Sequence, residues 1–280
     1  MTFGKEPQFG VKPEKKESLT QKFEKLQNFV KEMSDGLKKE GIPVNEKARV
    51  DTGEFEGTYR REIIEADKDW VKDLKKQWER AIVSGSQWGG LLSKEQILRQ
   101  KTIGETWEIL VTAILYKNLK EDFIVVRTSE YDDFRNGVDC LIIDRASGSV
   151  VCAFDEVGDI SGQRFDSKKE KVLKRNQYNG GADIFYGLSF KERQGTRQLK
   201  KGEIKHIPLF YFASSEEDVR KGLEAFSFSK DGQSDDERKI FQGFIDSFKQ
   251  QTDELKKVPL HPKFKERLEF FEAILKNMVK

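Results

Sequence analysis

Histidine and cysteine are scarce in this chain of 280 residues, with two of each, and that scarcity removes several chemistries at the outset. Neither His206 nor His261 has cysteine partners at zinc-ligand spacing, which argues against a structural zinc site or a histidine-rich catalytic centre. Beside an apolar run, His206 reads as an edge-of-strand residue. Cys140 and Cys152 both fall in apolar stretches and read as small core residues of a reducing compartment. Neighbouring strands can bring them together, but nothing resembles a secreted disulfide framework. No apolar run approaches the roughly 18 residues of a membrane span, and the first residues lack the apolar core of a signal peptide. A cytoplasmic protein without a membrane partner is expected. An excess of one charge is also missing, since 51 Lys and Arg face 49 Asp and Glu. Net charge therefore gives no guide to partners, and local blocks must be read instead.

What the chain does have is an unusual stretch from Gly137 to Arg175. Leu141, Ile142 and Ile143 are continuously apolar, as are Val150 to Phe154, and Arg145-Ala146-Ser147-Gly148-Ser149 lies between them as a hairpin loop. Two antiparallel strands covered on both faces are expected. Asp139 opens the first and Asp155-Glu156 closes the second, so a hairpin brings their carboxylates together. Clustered carboxylates repel and persist near a core only when a proton or a metal cation neutralises them. Hard oxygen ligands suit Mg²⁺ or Mn²⁺, with Asp139, Asp155 and Glu156 as the candidate ligands. A blander reading has Asp139 and Asp155 bonding to strand ends and loop amides.

Residues 1–16 combine glycine, proline and mixed charge and read as a flexible tail. Residues 17–90 form an N-terminal helical extension, with helical spacing at 18–40 and from about Glu56 to Val83. Ser84 to Gly90 is a break, and Ser93 with Gln96 can cap a helix that runs to about Leu119. Glu105 on that helix reads as a solvated residue, whereas Glu108 lies between Trp107 and Ile109 and has both a structural and a functional reading. Phe123 to Val126 is a strand, followed by an acidic loop, Ser129 to Asn136, in which Asp132 and Asp133 read as turn formers ahead of outer-shell ligands. Arg164 to Arg175 holds six basic and two acidic residues at helical spacing, with Lys169 at the edge of the buried face. Strands at Ile184 to Leu188 and Ile207 to Phe212 are separated by Lys191 to Lys205, again six basic and two acidic residues. Residues 91–213 thus make an α/β core, and residues 214–280 are helices that pack on it.

The arrangement resembles the PD-(D/E)XK nuclease superfamily, with its restriction-endonuclease-like core of a mixed central sheet flanked by helices. The resemblance covers about Lys94 to Ala213. It rests on Gly104-Glu105-Thr106-Trp107-Glu108 in a helix, Gly137-Val138-Asp139 opening a strand, Phe154-Asp155-Glu156-Val157 in the next, and a basic helix after it. It implies that Glu108, Asp139 and Asp155 hold the metal, with Glu156 replacing Asp155 if the register shifts by one residue. The family places a lysine where Val157 stands. In some members the following helix supplies it, a role open here to Lys169, with Lys168 and Lys171 as fallbacks.

The expected function is metal-dependent hydrolysis of phosphodiester bonds in DNA, a restriction-type endonuclease being its narrower form. Arg164, Lys168, Lys171, Lys200 and Lys201 would hold the backbone. DNA is the expected partner, and a homodimer stays open. The alternative, favoured by Val157, is a catalytically silent nuclease-like fold that binds nucleic acid or serves assembly.

Overall fold

β-Branched and aliphatic residues in short, uncharged runs favour extended backbone buried on both faces, and such runs form the centre of the molecule. In the computed structural model, residues 17–84, 94–157, 160, 163–193, 196–229 and 232–278 are described. In chain order the elements are α1 (Leu19–Lys39), α2 (Arg61–Ser84), α3 (Lys94–Leu119), β1 (Phe123–Arg127), α4 (Glu130–Asn136), β2 (Cys140–Asp144), β3 (Val150–Val157), α5 (Gln163–Tyr178), β4 (Ala182–Arg193), β5 (Thr196–Ile207), β6 (Leu209–Ala213), α6 (Glu216–Ala225), α7 (Asp235–Leu255) and α8 (Pro262–Leu275). The fold is mixed α/β. The expected tail at 1–16, residues 85–90 of the expected break, the Ser93 cap and the Arg164 side chain lie outside the described residues.

A four-stranded sheet runs in the order β1-β2-β3-β6, antiparallel except for the parallel pair β3 and β6. Parallel pairing requires a long crossover, here α5 with the β4–β5 pair. Every residue of β1, β2 and β3 is buried, helices covering the sheet. Packed against α3 and α6, α1 begins at a capping box in which the Ser18 hydroxyl accepts from the Gln21 N–H, and it turns Leu26, Phe29, Val30, Met33 and Leu37 inward. At the C-terminal end Phe248 of α7 meets Phe210 of β6 and Phe271 of α8 at ring centroids 5.1 and 5.5 Å apart. Fully burying one such ring contributes about 1.5–3 kcal/mol. Buried residues from Leu26 to Met278 belong to one apolar cluster, so both helical extensions share the core of the sheet. Among the described residues no helix is long and apolar enough to cross a membrane.

Two local expectations are corrected. The acidic loop at Ser129 to Asn136 is the helix α4. The Ser129 hydroxyl accepts from the Asp132 N–H, Glu130, Asp132 and Asp133 fill the first turn, and Gly137 closes it in the left-handed region at φ 57°; acids at a helix N-terminus are favourable. The basic stretch Lys191 to Lys205 is largely strand. β4 and β5 form a separate antiparallel ribbon, and because every residue of β5 but the last is exposed or half-buried, its sequence shows charge instead of apolar alternation. One end of the ribbon is held by Asp132, whose carboxylate accepts from the N–H groups of Phe185 at 2.7 Å and Tyr186 at 3.0 Å. Further along, the Phe190 N–H donates to the Gly148 carbonyl in the β2–β3 turn at 2.7 Å. The ribbon therefore travels from the Asp139 end of the sheet toward its opposite end. His206, next to last in β5, stacks on His261 at 5.3 Å, and Cys140 and Cys152 are free and buried.

Candidate active site

The register of the β2–β3 hairpin sets the centre of the site. Cys140 pairs with Phe154 and the Asp139 N–H donates to the Phe154 carbonyl at 3.0 Å, which leaves Asp139 opposite Asp155 at the strand ends. Both are almost completely buried, 5% and 4% exposed. The Glu156 N–H donates to Asp139 Oδ2 at 2.7 Å, and Lys168 Nζ of α5 lies 2.6 Å from Asp155 Oδ2. Strand alternation turns Glu156 to the other side, the side on which Cys140 Sγ and Thr112 Oγ1 of α3 share a hydrogen bond at 3.1 Å. There Glu156 is buried, and neither of its carboxylate oxygens has a hydrogen-bond partner.

Two arginines complete the cluster. Arg127 ends β1 and its guanidinium bonds Glu108 of α3. Arg49 arrives from the N-terminal extension because residues 48–50 dock on the outer edge of β1, where the Arg127 N–H donates to the Ala48 carbonyl and the Val50 N–H to the Arg127 carbonyl, each at 2.9 Å. Its Nη2 atom is 3.4 Å from Glu108 Oε2 and 2.8 Å from Asp133 Oδ2. Asp133 is placed by the first turn of α4, so the cap at Ser129 and the site are mechanically one unit.

Burial dominates the electrostatics. It raises the Asp139 carboxyl, reinforced by the charge of Asp155, and it raises Asp155 against the pull of Lys168. Glu108 and Asp133 are each pushed up to about 7 by burial and then by Asp139, with the arginines pulling the other way. Burial raises Glu156 well above the ordinary carboxylate range, and Cys140, Asp139 and Glu108 add to the rise. Burial opposes charge on Lys168, but Asp155 and Asp139 outweigh it and hold the ammonium protonated. Five carboxyls, Glu108, Asp133, Asp139, Asp155 and Glu156, thus face three cations, Arg49, Arg127 and Lys168. Protonation relieves this excess of carboxyls, as their raised values show, and a divalent cation bound through hard oxygen donors would relieve it instead. Among the described residues, however, no three ligating side chains already converge on one point; Asp155 is held by Lys168 instead.

Of the residues proposed from sequence, Asp139, Asp155, Glu156 and Glu108 come together, with Lys168 among them. Lys169 does not join them: it is exposed, and its neighbour is the Tyr211 hydroxyl. Lys171 is exposed on the rim, its ammonium 3.7 Å from where a Cβ on Gly137 would stand. Glu105 is an exposed partner of Lys47 at 3.6 Å. Lys200 and Lys201 lie on β5, Lys200 exposed and Lys201 engaged with the carbonyl and carboxylate of Glu54. Arg49 and Arg127 were not expected in the site, and Asp133, read first as a turn former and second as an outer-shell ligand, lies in it through Arg49. Arg127 closing a wholly apolar strand was a usable signal, whereas nothing local marks Arg49. Compared with protein-family models, curated proteins and solved structures, the chain matches none of them. The functional reading therefore rests on the geometry of these side chains.

Proposed function

We propose that the chain is a divalent-metal-dependent nuclease of the PD-(D/E)XK type, with DNA as its substrate and a restriction-type role as the narrower form of the same reading. The observation that carries it is the pairing of Asp139 with Asp155 at adjoining strand ends, with Lys168 on Asp155. Glu108 on α3, Asp139 and Asp155 at the β2–β3 hairpin and Lys168 on α5 support this reading. A restriction-endonuclease-like core is part of this proposal.

Asp139 and Asp155 would be the ligands, and Glu108 would complete the set; Glu156 lies on the other side of β3 and stands apart from it. Bound Mg²⁺ or Mn²⁺ would supply Lewis acidity toward the phosphate and a more acidic water. Lys168 is the chain's own contribution to charge stabilisation. With a cation on Asp155, the Lys168 ammonium would be free to face the phosphate oxygens, where developing negative charge is stabilised most strongly in a dry site. Arg127 and Arg49 fix Glu108, and Arg49 fixes Asp133, so the carboxylates keep their directions when the cation binds. Asp139→Asn tests the reading: it keeps the shape of the side chain and removes its charge, and metal-dependent cleavage should be lost while the fold is kept. Undiminished cleavage by the purified variant would refute the ligand assignment.

The competing reading is a silent nuclease-like fold. It is favoured by Val157, which is buried where the resemblance calls for lysine. Cleavage by the wild-type protein in Mn²⁺, absent in Asp139→Asn, would eliminate it.

A further inference from the structure

Of the two basic blocks expected to hold nucleic acid, the one at Lys191 to Lys205 runs along β4 and β5 toward the opposite end of the sheet, and a further cationic surface lies nearer the carboxylates. A cleft of about 480 Å³ lies between α2, the segment 45–52 and the start of α4. Its cationic side chains are Arg49, Lys68, Lys72, Lys75 and Lys76, and Tyr131 forms part of its floor. Arg49 is at once a wall of this cleft and a partner of Glu108 and Asp133. The cleft therefore adjoins the carboxylate cluster directly.

Four acids also line it, but three are committed to the protein. Asp51 accepts from the Gly53 N–H at 2.9 Å, Asp67 from the Tyr186 hydroxyl at 2.8 Å, and Glu130 from Lys75 at 2.6 Å; the fourth is Glu79. Lys72 is exposed and has no ion pair among the described residues. Lys68 and Lys76 hold only exposed i,i+3 partners, Glu65 and Asp73, pairs weak enough for a phosphate to replace. Lys75 also lies 5.6 Å over the ring of Phe134, and Phe134 meets Trp78 edge to face at 5.1 Å and 85°. Trp78 is 42% exposed. An edge-to-face pair covers at most one face of one ring, so aromatic surface stays open beside the lysines. Phosphate-binding cations interleaved with an exposed aromatic are the chemistry that holds unpaired nucleotides, whose free base faces can stack, whereas a base inside a duplex has its faces covered.

Resting on the nuclease reading for its account of the adjoining centre, we infer that the α2–α4 cleft holds an unpaired segment of the substrate strand, phosphates on Lys72 and Lys76 and a base on Trp78. The strand then passes Arg49 to reach Asp139 and Asp155. The substrate class is a nucleic acid with a single-stranded stretch next to the cleaved bond.

The test is equilibrium binding in EDTA, by anisotropy of a labelled oligo(dT) and of a blunt duplex of equal length over a salt series, with folding of every variant checked by thermal melting. Wild type should bind oligo(dT) more tightly than the duplex. Lys72→Glu/Lys76→Glu, two exposed positions, should weaken oligo(dT) binding at least about tenfold at low salt and flatten the salt dependence. Trp78→Ala should weaken it about fivefold or more with the salt slope retained, as loss of one stacked base requires; Trp78→Phe, which keeps a ring if the alanine variant melts early, should restore most of the affinity. Equal binding of single strand and duplex, or intact oligo(dT) binding in both variants, overturns the inference. Because no metal is present, loss of cleavage or of Mn²⁺ binding with strand binding retained defeats the nuclease reading alone.

Discussion

Asp139 accepts a backbone N–H while facing a second buried carboxyl, and at this scale the competition is between desolvation and pairing. Asp139→Asn should leave the melting temperature equal or higher in EDTA, because a like-charge contact disappears, and should abolish the rise that Mn²⁺ gives the wild type; melts with and without Mn²⁺ check this. Lys168 is the other informative position. Lys168→Met should reduce cleavage about 10²-fold, whereas Lys169→Met should leave it close to wild type; single-turnover assays on both variants decide between them. The carboxyls of Glu108 and Asp133 also predict a pH effect. Their folded-state values near 7 exceed the ordinary carboxylate range of about 4. The stabilisation is therefore fully present below about 4 and is lost as pH rises through about 7. Without divalent cations the wild-type melting temperature should fall over that window, and Asp133→Asn should fall less steeply; equal slopes would show that Asp133 ionises normally.

Among the elements, α4 and the β4–β5 ribbon show where sequence patterns stop being informative. The apolar runs of β1, β2, β3 and β6 and the stripes of α1 and α7 are legible because a buried face demands them. A short acidic helix whose stability lies in one cap, and a ribbon with every residue of one strand but the last exposed or half-buried, have no such demand. The same limit applies to the site. Asp139 and Asp155 were legible because an acid at the end of an apolar strand is costly, but Arg49 reaches them through an edge contact about 80 residues away in sequence from its partner Arg127. Choosing Lys168 over Lys169 needed the rotation of α5, which a one-residue difference in helical phase decides. Removing the α4 cap by Ser129→Ala should cost about 1 kcal/mol and, through Asp133, weaken Mn²⁺ binding; calorimetry on the variant reads both. If the metal affinity stays unchanged, α4 does not position the site.

For the molecule as a whole, the helical extensions are part of the core and supply functional groups to it. Residues 48–50 extend the sheet edge and deliver Arg49, and α2 walls the cleft. At the other end, Lys117 of α3 is buried and donates to the carbonyls of Ser227 and Gly232, each at 2.7 Å, and pairs with Glu237 of α7 at 2.9 Å. Lys117→Met leaves that carboxylate buried without its partner and should destabilise the protein by about 3–5 kcal/mol, with Lys117→Met/Glu237→Gln recovering a large part in chemical denaturation. Anomalous diffraction from crystals soaked in Mn²⁺ tests the central claim, that these extensions and the sheet together build a cation site, most directly. The account predicts a Mn²⁺ peak in contact with both Asp139 and Asp155, Lys168 having moved off Asp155, and no such peak in Asp139→Asn. A wild-type crystal at saturating Mn²⁺ with Lys168 still on Asp155 and no ion between the two aspartates would contradict it.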